Sequence, residues 1–238
     1  MATPDAHSDS YLNPRPDPHP EKAALRRHYR KLRRSLPVSV QQAHARAVFR
    51  HLLASGLFWR PGRIAAYATA RGELDATPIL RHGWQQQRPM ALPVIEWSSR
   101  HRRGELGFYR VGPNDPLAKG AFGLPTPAAD ADRLPLQTLS VLLVPLVAFD
   151  RFGMRLGQGG GYYDRVFAHV GDCAAVASAA PLRIGLAHDC QRSTAALPHD
   201  PWDRALDAVV TEAGISAFSA RGRRLTDQAR NRTAHGHT

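Results

Sequence analysis

VPLVAFDRFGMRLGQGGGYYDR, residues Val144 to Arg165, passes from an apolar strand through a glycine cluster into a helix. The apolar run Val141 to Leu146 has strand character, and turn-prone residues follow it. Arg155 comes next, then Gly157, Gly159, Gly160 and Gly161, then Tyr162, Tyr163 and Asp164 opening a helix. Strand, glycine loop and helix N-terminus in succession make an anion site, because backbone N–H groups can close around phosphate oxygens. Glycine permits that approach, having no Cβ and tolerating positive φ. The stretch is neither a P-loop, since the Lys-Ser/Thr pair is missing, nor a dinucleotide fingerprint, since the glycine spacing differs. Asp164 stands where it could hold a magnesium ion against bound phosphate. It would serve equally as a helix N-terminal acid favoured by the dipole.

Outward from this stretch, the spacing predicts a helix from Glu21, with Leu25, Tyr29, Leu32 and Leu36 on one face. Lys22, Arg26, Arg30 and Arg33 run beside that face at the same period. Such a stripe is either a solvated basic face, a triphosphate contact or a nucleic-acid contact. Pro37 ends the helix, and Ser39 with Gln42 has the form of a capping box for a second helix over residues 40–54. Residues 63–68 read as a buried strand. The loop from Arg71 to Pro78 then enters a helix, and its Glu73 and Asp75 lie where α/β proteins place ligand contacts. Strands are expected at 89–95 and, edge-like, at 105–110, with a basic exposed turn over 100–103 between them. A helix over 162–170 and a strand over 182–188 follow. Asp203 lies in a loop before the last strand, where it could cap a turn.

The 238 residues suit one domain with tails: a disordered N-terminal extension over 1–20, an α/β domain over 21–215, and a basic flexible tail over 216–238. Removing the tail beyond Gly222 is expected to be nearly neutral for catalysis. Two cysteines, Cys173 and Cys190, build no disulfide framework and lack metal-ligand spacing. No apolar run reaches membrane-spanning length, and the N-terminus lacks signal-peptide regions, so a cytoplasmic setting is expected. The net charge of +12 points to anionic partners, either nucleic acid or a polyanionic small molecule. No RNP, KH or zinc-finger pattern is present, and no aromatic residues interleave with the basic runs. The twelve histidines are scattered and receive no role. Alternating strands and helices call for a mainly parallel sheet with helices on both faces.

The pattern over Phe149-Asp150, Gly153, Arg155-Leu156-Gly157, Gly159 and Gly161-Tyr162-Tyr163-Asp164-Arg165 closely resembles the signature of the 5-formyltetrahydrofolate cyclo-ligase family. Lys22-Ala23-Ala24-Leu25-Arg26 is similar to the start of that family's first helix. Phe122 to Pro127 resembles another segment, with Thr126 in place of a glutamate. Leu197 to Glu212 is similar to a closing block, with Asp200 in place of a glutamate. The resemblance spans about Lys22 to Glu212. It implies a Rossmann-like three-layer α/β/α fold in one domain and ATP-dependent closure of 5-formyltetrahydrofolate to 5,10-methenyltetrahydrofolate, with Mg2+. ATP would be bound by Lys22, Ala23, Ala24, Leu25, Arg26 and the loop Arg155, Leu156, Gly157, Gln158, Gly159, Gly160, Gly161, Tyr162 and Tyr163. The folate, with or without a polyglutamate tail, would meet Glu73, Gln158, Gly159, Gly160, Gly161 and Tyr162. Arg155 and Tyr162 would be catalytic, and Asp164 and Asp203 would hold the metal. The implied partners are these small molecules, with no specific nucleic acid and no membrane, and the protein would be a monomer. Gly160 stands where many relatives carry lysine. Asp164→Asn is expected to abolish most turnover while changing folding stability little.

Overall fold

In the computed structural model, which describes residues 20–98, 103–172 and 180–235, the chain opens with helices α1 (Pro20–Arg34) and α2 (Val38–Ala54). Strand β1 (Arg63–Ala65) leads through α3 (Thr77–Gln85) to β2 (Met90–Ser98) and β3 (Arg103–Val111). Short pieces β4 (Leu117–Lys119), β5 (Pro125–Pro127) and β6 (Arg133–Leu134) precede the central strand β7 (Leu139–Pro145). A small hairpin, β8 (Ala148–Phe149) and β9 (Arg155–Leu156), then presents the glycine loop and α4 (Tyr162–Asp172). The chain closes with β10 (Leu182–Leu186), β11 (Ala208–Thr211), β12 (Gly214–Ala217) and α5 (Ala220–His235).

The main sheet has the order β12-β11-β10-β7-β1-β2-β3-β6. Its middle, β11 to β2, is parallel, while antiparallel pairings add β12 at one flank and β3, then β6, at the other. A strand buried on both faces reads as a continuous apolar run, and β7 does so because each side of the sheet is covered. Its Val141 and Leu143 face one layer, with Val48 and Leu52 of α2, Ile79 of α3 and Leu225 of α5. Leu142 and Val144 face the other, with Val166 and Phe167 of α4. The expected three-layer α/β/α architecture is therefore present. No described helix is long and apolar enough to cross a membrane.

Three expectations change. Helix α2 begins at Val38 with Pro37 as its N-cap, so Ser39 and Gln42 form no capping box; the Pro37 carbonyl takes the Gln41 N–H at 3.0 Å. Strand β3 is not the edge, because β6 pairs with it at Phe108 and Tyr109. The segment expected to be a flexible basic tail instead forms α5 over most of its length. Leu225 is wholly buried there against the α2 side of the sheet, and the Gly222 N–H is capped by Ser219 Oγ at 3.0 Å. Leu225 supplies the buried apolar contact of a helix otherwise rich in arginine, and Ser219 ties its start to Asp207 at 2.6 Å. Residues 1–19 of the N-terminal extension and 100–102 of the basic turn lie outside the described residues.

Candidate active site

Strands β1 and β7 lie side by side and parallel, yet their connections leave in opposite directions, β1 towards β2 and β7 towards β10. Open α/β sheets bind ligands in the crevice beyond the carboxyl ends of such a strand pair. Two loops line that crevice here: 66–76 after β1, with Glu73, and 146–161 after β7, with the glycines.

Helix α1 lies across this end of the sheet. Leu25 and Tyr29 anchor it on Val147, Ala148, Leu156 and Leu197, which makes Leu25 a packing residue. The cationic stripe beside that anchor turns inward. Lys22 Nζ donates to Asp200 at 2.7 Å and lies 3.6 Å from Asp203. Arg26 Nε donates to the Gly157 carbonyl at 2.8 Å. Arg30 donates to the Gln158 carbonyl at 2.8 Å and to its side-chain oxygen at 3.1 Å. Arg33, with a side chain only 1 % exposed, donates to the Leu146 carbonyl at 3.1 Å and lies 3.6 Å from Glu73. Burial lowers the pKa of Arg26, Arg30 and Arg33, with their cationic neighbours adding to the effect. Such a field favours an anion. Ala23 and Ala24 share the helix; Ala24 is exposed.

The glycine loop is held by its carbonyls, which leaves its N–H groups for a ligand. Among the described residues, none accepts a hydrogen bond from the amides of Gln158 to Gly161. Gly159 and Gly161 have φ of +105° and +63°, and a Cβ on Gly161 would come within 2.9 Å of the Arg165 guanidinium. A Cβ on Gly160 would meet the Tyr162 ring at 2.6 Å, so a lysine there would require that ring to move. Gln158 bridges the two loops, its Nε2 donating to Glu73 Oε1 at 2.8 Å. Burial raises the Glu73 pKa, against the pull of Arg33 and of the Gln158 hydrogen bond. A cavity of about 260 Å³ opens beside Glu73, between the first turn of α2 and the 69–75 loop. Asp75 serves the local fold, accepting the Thr77 N–H at 2.9 Å at the start of α3.

Arg155 and Asp164 form a close ion pair. The Arg155 side chain is only 4 % exposed, lies over the Phe167 ring and donates to the Arg204 carbonyl at 3.3 Å. It is thus a holder of Asp164, and its burial leaves little surface for a phosphate. The expectation that Asp164→Asn spares stability changes with it, because the substitution leaves a buried guanidinium without its counter-charge. Asp203 does cap a turn, its Oδ2 accepting the Asp200 N–H at 2.8 Å. Both acids still act on the same two cations: Asp164 and Asp203 each raise the pKa of Arg26 and of Arg155. They are hard oxygen donors on one side of the crevice, a set that suits magnesium. Tyr162 is half-buried, with the Arg165 guanidinium over its ring, whereas Tyr163 packs into the α4 layer with its hydroxyl unpaired.

Asp150 is wholly buried and accepts the N–H groups of Phe152, Met154 and Leu197 at 2.9–3.0 Å. It ties the β8–β9 hairpin to the loop that carries Asp203, a structural role for an acid that touches no open space. Arg30 and Arg33, named in the cationic stripe but not among the residues expected to bind ATP, line the crevice with the other two cations. The helical period of the stripe was the available signal. The buried His188 at the end of β10 had none, since its neighbours are far away in sequence.

The model of the 5-formyltetrahydrofolate cyclo-ligase family matches residues 18–212. The 5-formyltetrahydrofolate cyclo-ligase of Escherichia coli K12 is 37 % identical over 153 residues, 64 % of this chain and 79 % of that protein. The Haemophilus influenzae protein of the same name is 32 % identical over 184 residues, covering 77 % of this chain and 93 % of the other. Among solved structures, the Aquifex aeolicus 5,10-methenyltetrahydrofolate synthetase superposes with a TM-score of 0.68 at 29 % identity, over 83 % of this chain and 92 % of that one.

Proposed function

Because the chain belongs to the 5-formyltetrahydrofolate cyclo-ligase family, we propose that its crevice converts 5-formyltetrahydrofolate and ATP into 5,10-methenyltetrahydrofolate, ADP and phosphate. The observation that carries this reading is the convergence of Lys22, Arg26, Arg30 and Arg33 on the glycine loop and its acids. A formamide oxygen is a poor leaving group, so ring closure requires that it first be activated. The formyl oxygen attacks the γ-phosphorus of ATP; the bond to the β-bridging oxygen breaks and ADP leaves. N10 then adds to the activated carbon and loses its proton, and the C–O bond breaks to release phosphate and leave the methenyl cation.

Phosphoryl transfer of this kind needs positioning and charge neutralisation more than a protein nucleophile. The amides of Gln158 to Gly161 cradle the phosphates, and Arg26 and Arg30 set the loop's conformation through its carbonyls while adding positive field. Arg155 positions Asp164. Glu73, fixed by Arg33 and Gln158, faces the folate, with Tyr162 at the mouth. Asp164 and Asp203 would hold Mg2+, which supplies charge neutralisation on the phosphates. A polyglutamate tail on the folate would add anionic charge that the basic surface favours.

The test is absorbance of methenyltetrahydrofolate formed from 5-formyltetrahydrofolate with and without Mg-ATP. Titrating Mg2+ in Asp164→Asn, Asp203→Asn and the double variant then locates the ion. Each single variant should need more Mg2+ and lose turnover by orders of magnitude, and the double variant should lose much less than the two losses combined. Unchanged metal dependence in both single variants removes the two-carboxylate site.

A further inference from the structure

Beside the Arg33–Glu73 pair, three side chains converge from elements far apart in sequence: His44 on α2, His188 after β10 and Glu212 after β11. The two Nδ1 atoms are 3.0 Å apart, and His44 Nδ1 lies 3.4 Å from Glu212 Oε1. All three donor atoms lie within 4.8 Å of one another. A tetrahedral ion with bonds of about 2.0–2.2 Å holds its donors roughly 3.3–3.5 Å apart. The 3.0 and 3.4 Å separations are close to the edges of such a polyhedron, and the third pair lies within 4.8 Å.

The donors are held there by bonds that do not use their converging atoms. Glu212 Oε2 accepts the Asp189 N–H at 3.0 Å. The His188 backbone is locked at both ends by Gln191, whose side-chain oxygen accepts its N–H and whose own N–H donates to its carbonyl, each at 2.9 Å. His51 Nε2 meets the Glu212 carbonyl at 3.2 Å. His188 is wholly buried, and its Nε2 makes no hydrogen bond among the described residues. Only one proton fits between two imidazole nitrogens 3.0 Å apart, so three acceptor atoms share a single hydrogen.

We infer that His44, His188 and Glu212 form a binding site for a divalent transition ion of the zinc class, separate from the oxygen-lined phosphate crevice. Two imidazoles and a carboxylate suit Zn2+, Co2+ or Ni2+, whereas magnesium prefers oxygen donors alone. A bound ion would tie α2 to the ends of β10 and β11, and so raise the melting temperature.

The experiment uses the metal-free full-length protein. Co2+ is titrated in while ligand-field absorption in the visible is followed, and Zn2+ is then added as competitor. One saturable band of tetrahedral intensity, displaced by Zn2+, is expected. It should vanish in His44→Ala, and Co2+ affinity should fall about tenfold or more in Glu212→Gln. His44→Gln, conservative at a part-exposed helix position, serves if the alanine variant melts without cooperativity. Zn2+ should raise the wild-type melting temperature but not that of the variants. A missing band, or one that persists unchanged in the folded His44 variants, overturns the site. Ring closure measured with Mg-ATP on the same samples keeps this outcome distinct from failure of the proposed reaction.

Discussion

Glu73 is a carboxyl whose surroundings pull in two directions. Burial raises its pKa above the ordinary glutamate value of 4.5, while Arg33 and Gln158 favour the ionised form, and burial wins. A raised pKa means that the proton returns at a higher pH as the solution is acidified. Protonation would weaken the Arg33 pair and the Gln158 bridge together. The acidic limb of kcat/KM should therefore lie above pH 4.5, and Glu73→Gln should lower activity and flatten that limb. A limb unchanged in the variant would show that another group titrates. Asp164 answers to a different constraint. Its pair with Arg155 involves a guanidinium that burial disfavours, so Asp164→Asn should cost on the order of 2 kcal/mol of stability besides the change in metal demand proposed above. Urea unfolding of the variant checks this; a midpoint at or above the wild-type value would mean that the ion pair contributes nothing.

Among the elements, α1 shows how far a linear pattern can be read. Leu25 and Tyr29 at helical spacing identify the packed face, and the stripe of Lys22, Arg26, Arg30 and Arg33 runs beside it. Periodicity shows that these cations share a face. It does not show what lies opposite, which in the fold is the glycine loop for Arg26 and Arg30 and Asp200 for Lys22. Arg30→Gln removes both contacts to Gln158 from a part-exposed position, and should raise the KM for ATP several-fold with a smaller change in kcat. Equal losses in both parameters would argue against a loop-ordering role. The glycine loop was legible because its chemistry is local: strand, glycines and helix are contiguous. The partner of Arg155, the docking of α5 and the cluster around His188 are not local, and each was missed. For α5 the arginines dominated the composition, while Leu225 supplies the buried apolar contact. Leu225→Ala should cost about 2–5 kcal/mol, read as a fall in thermal midpoint. A midpoint within a degree of wild type would mean that the helix is not docked in solution.

At the scale of the whole molecule, the charge of +12 acts on every anion that approaches. With phosphates on ATP and carboxylates on the folate, kcat/KM should fall several-fold as salt shortens the screening length from roughly 10 Å at 0.1 M towards 3 Å at 1 M. A salt-independent kcat/KM would confine the electrostatics to the crevice. The crevice itself is built from opposite ends of the chain. Lys22 and Asp200 are 178 positions apart, and Arg26 meets Gly157 across 131. On the ribosome, the first helix therefore emerges long before anything it will grip. Its cations wait in solvent while the 178 positions from Lys22 to Asp200 are made, and the crevice closes only once the loop at residues 200–203 has left the exit tunnel. Nucleotide affinity should thus be absent from shorter nascent chains and appear abruptly in those long enough to expose residues 200–203.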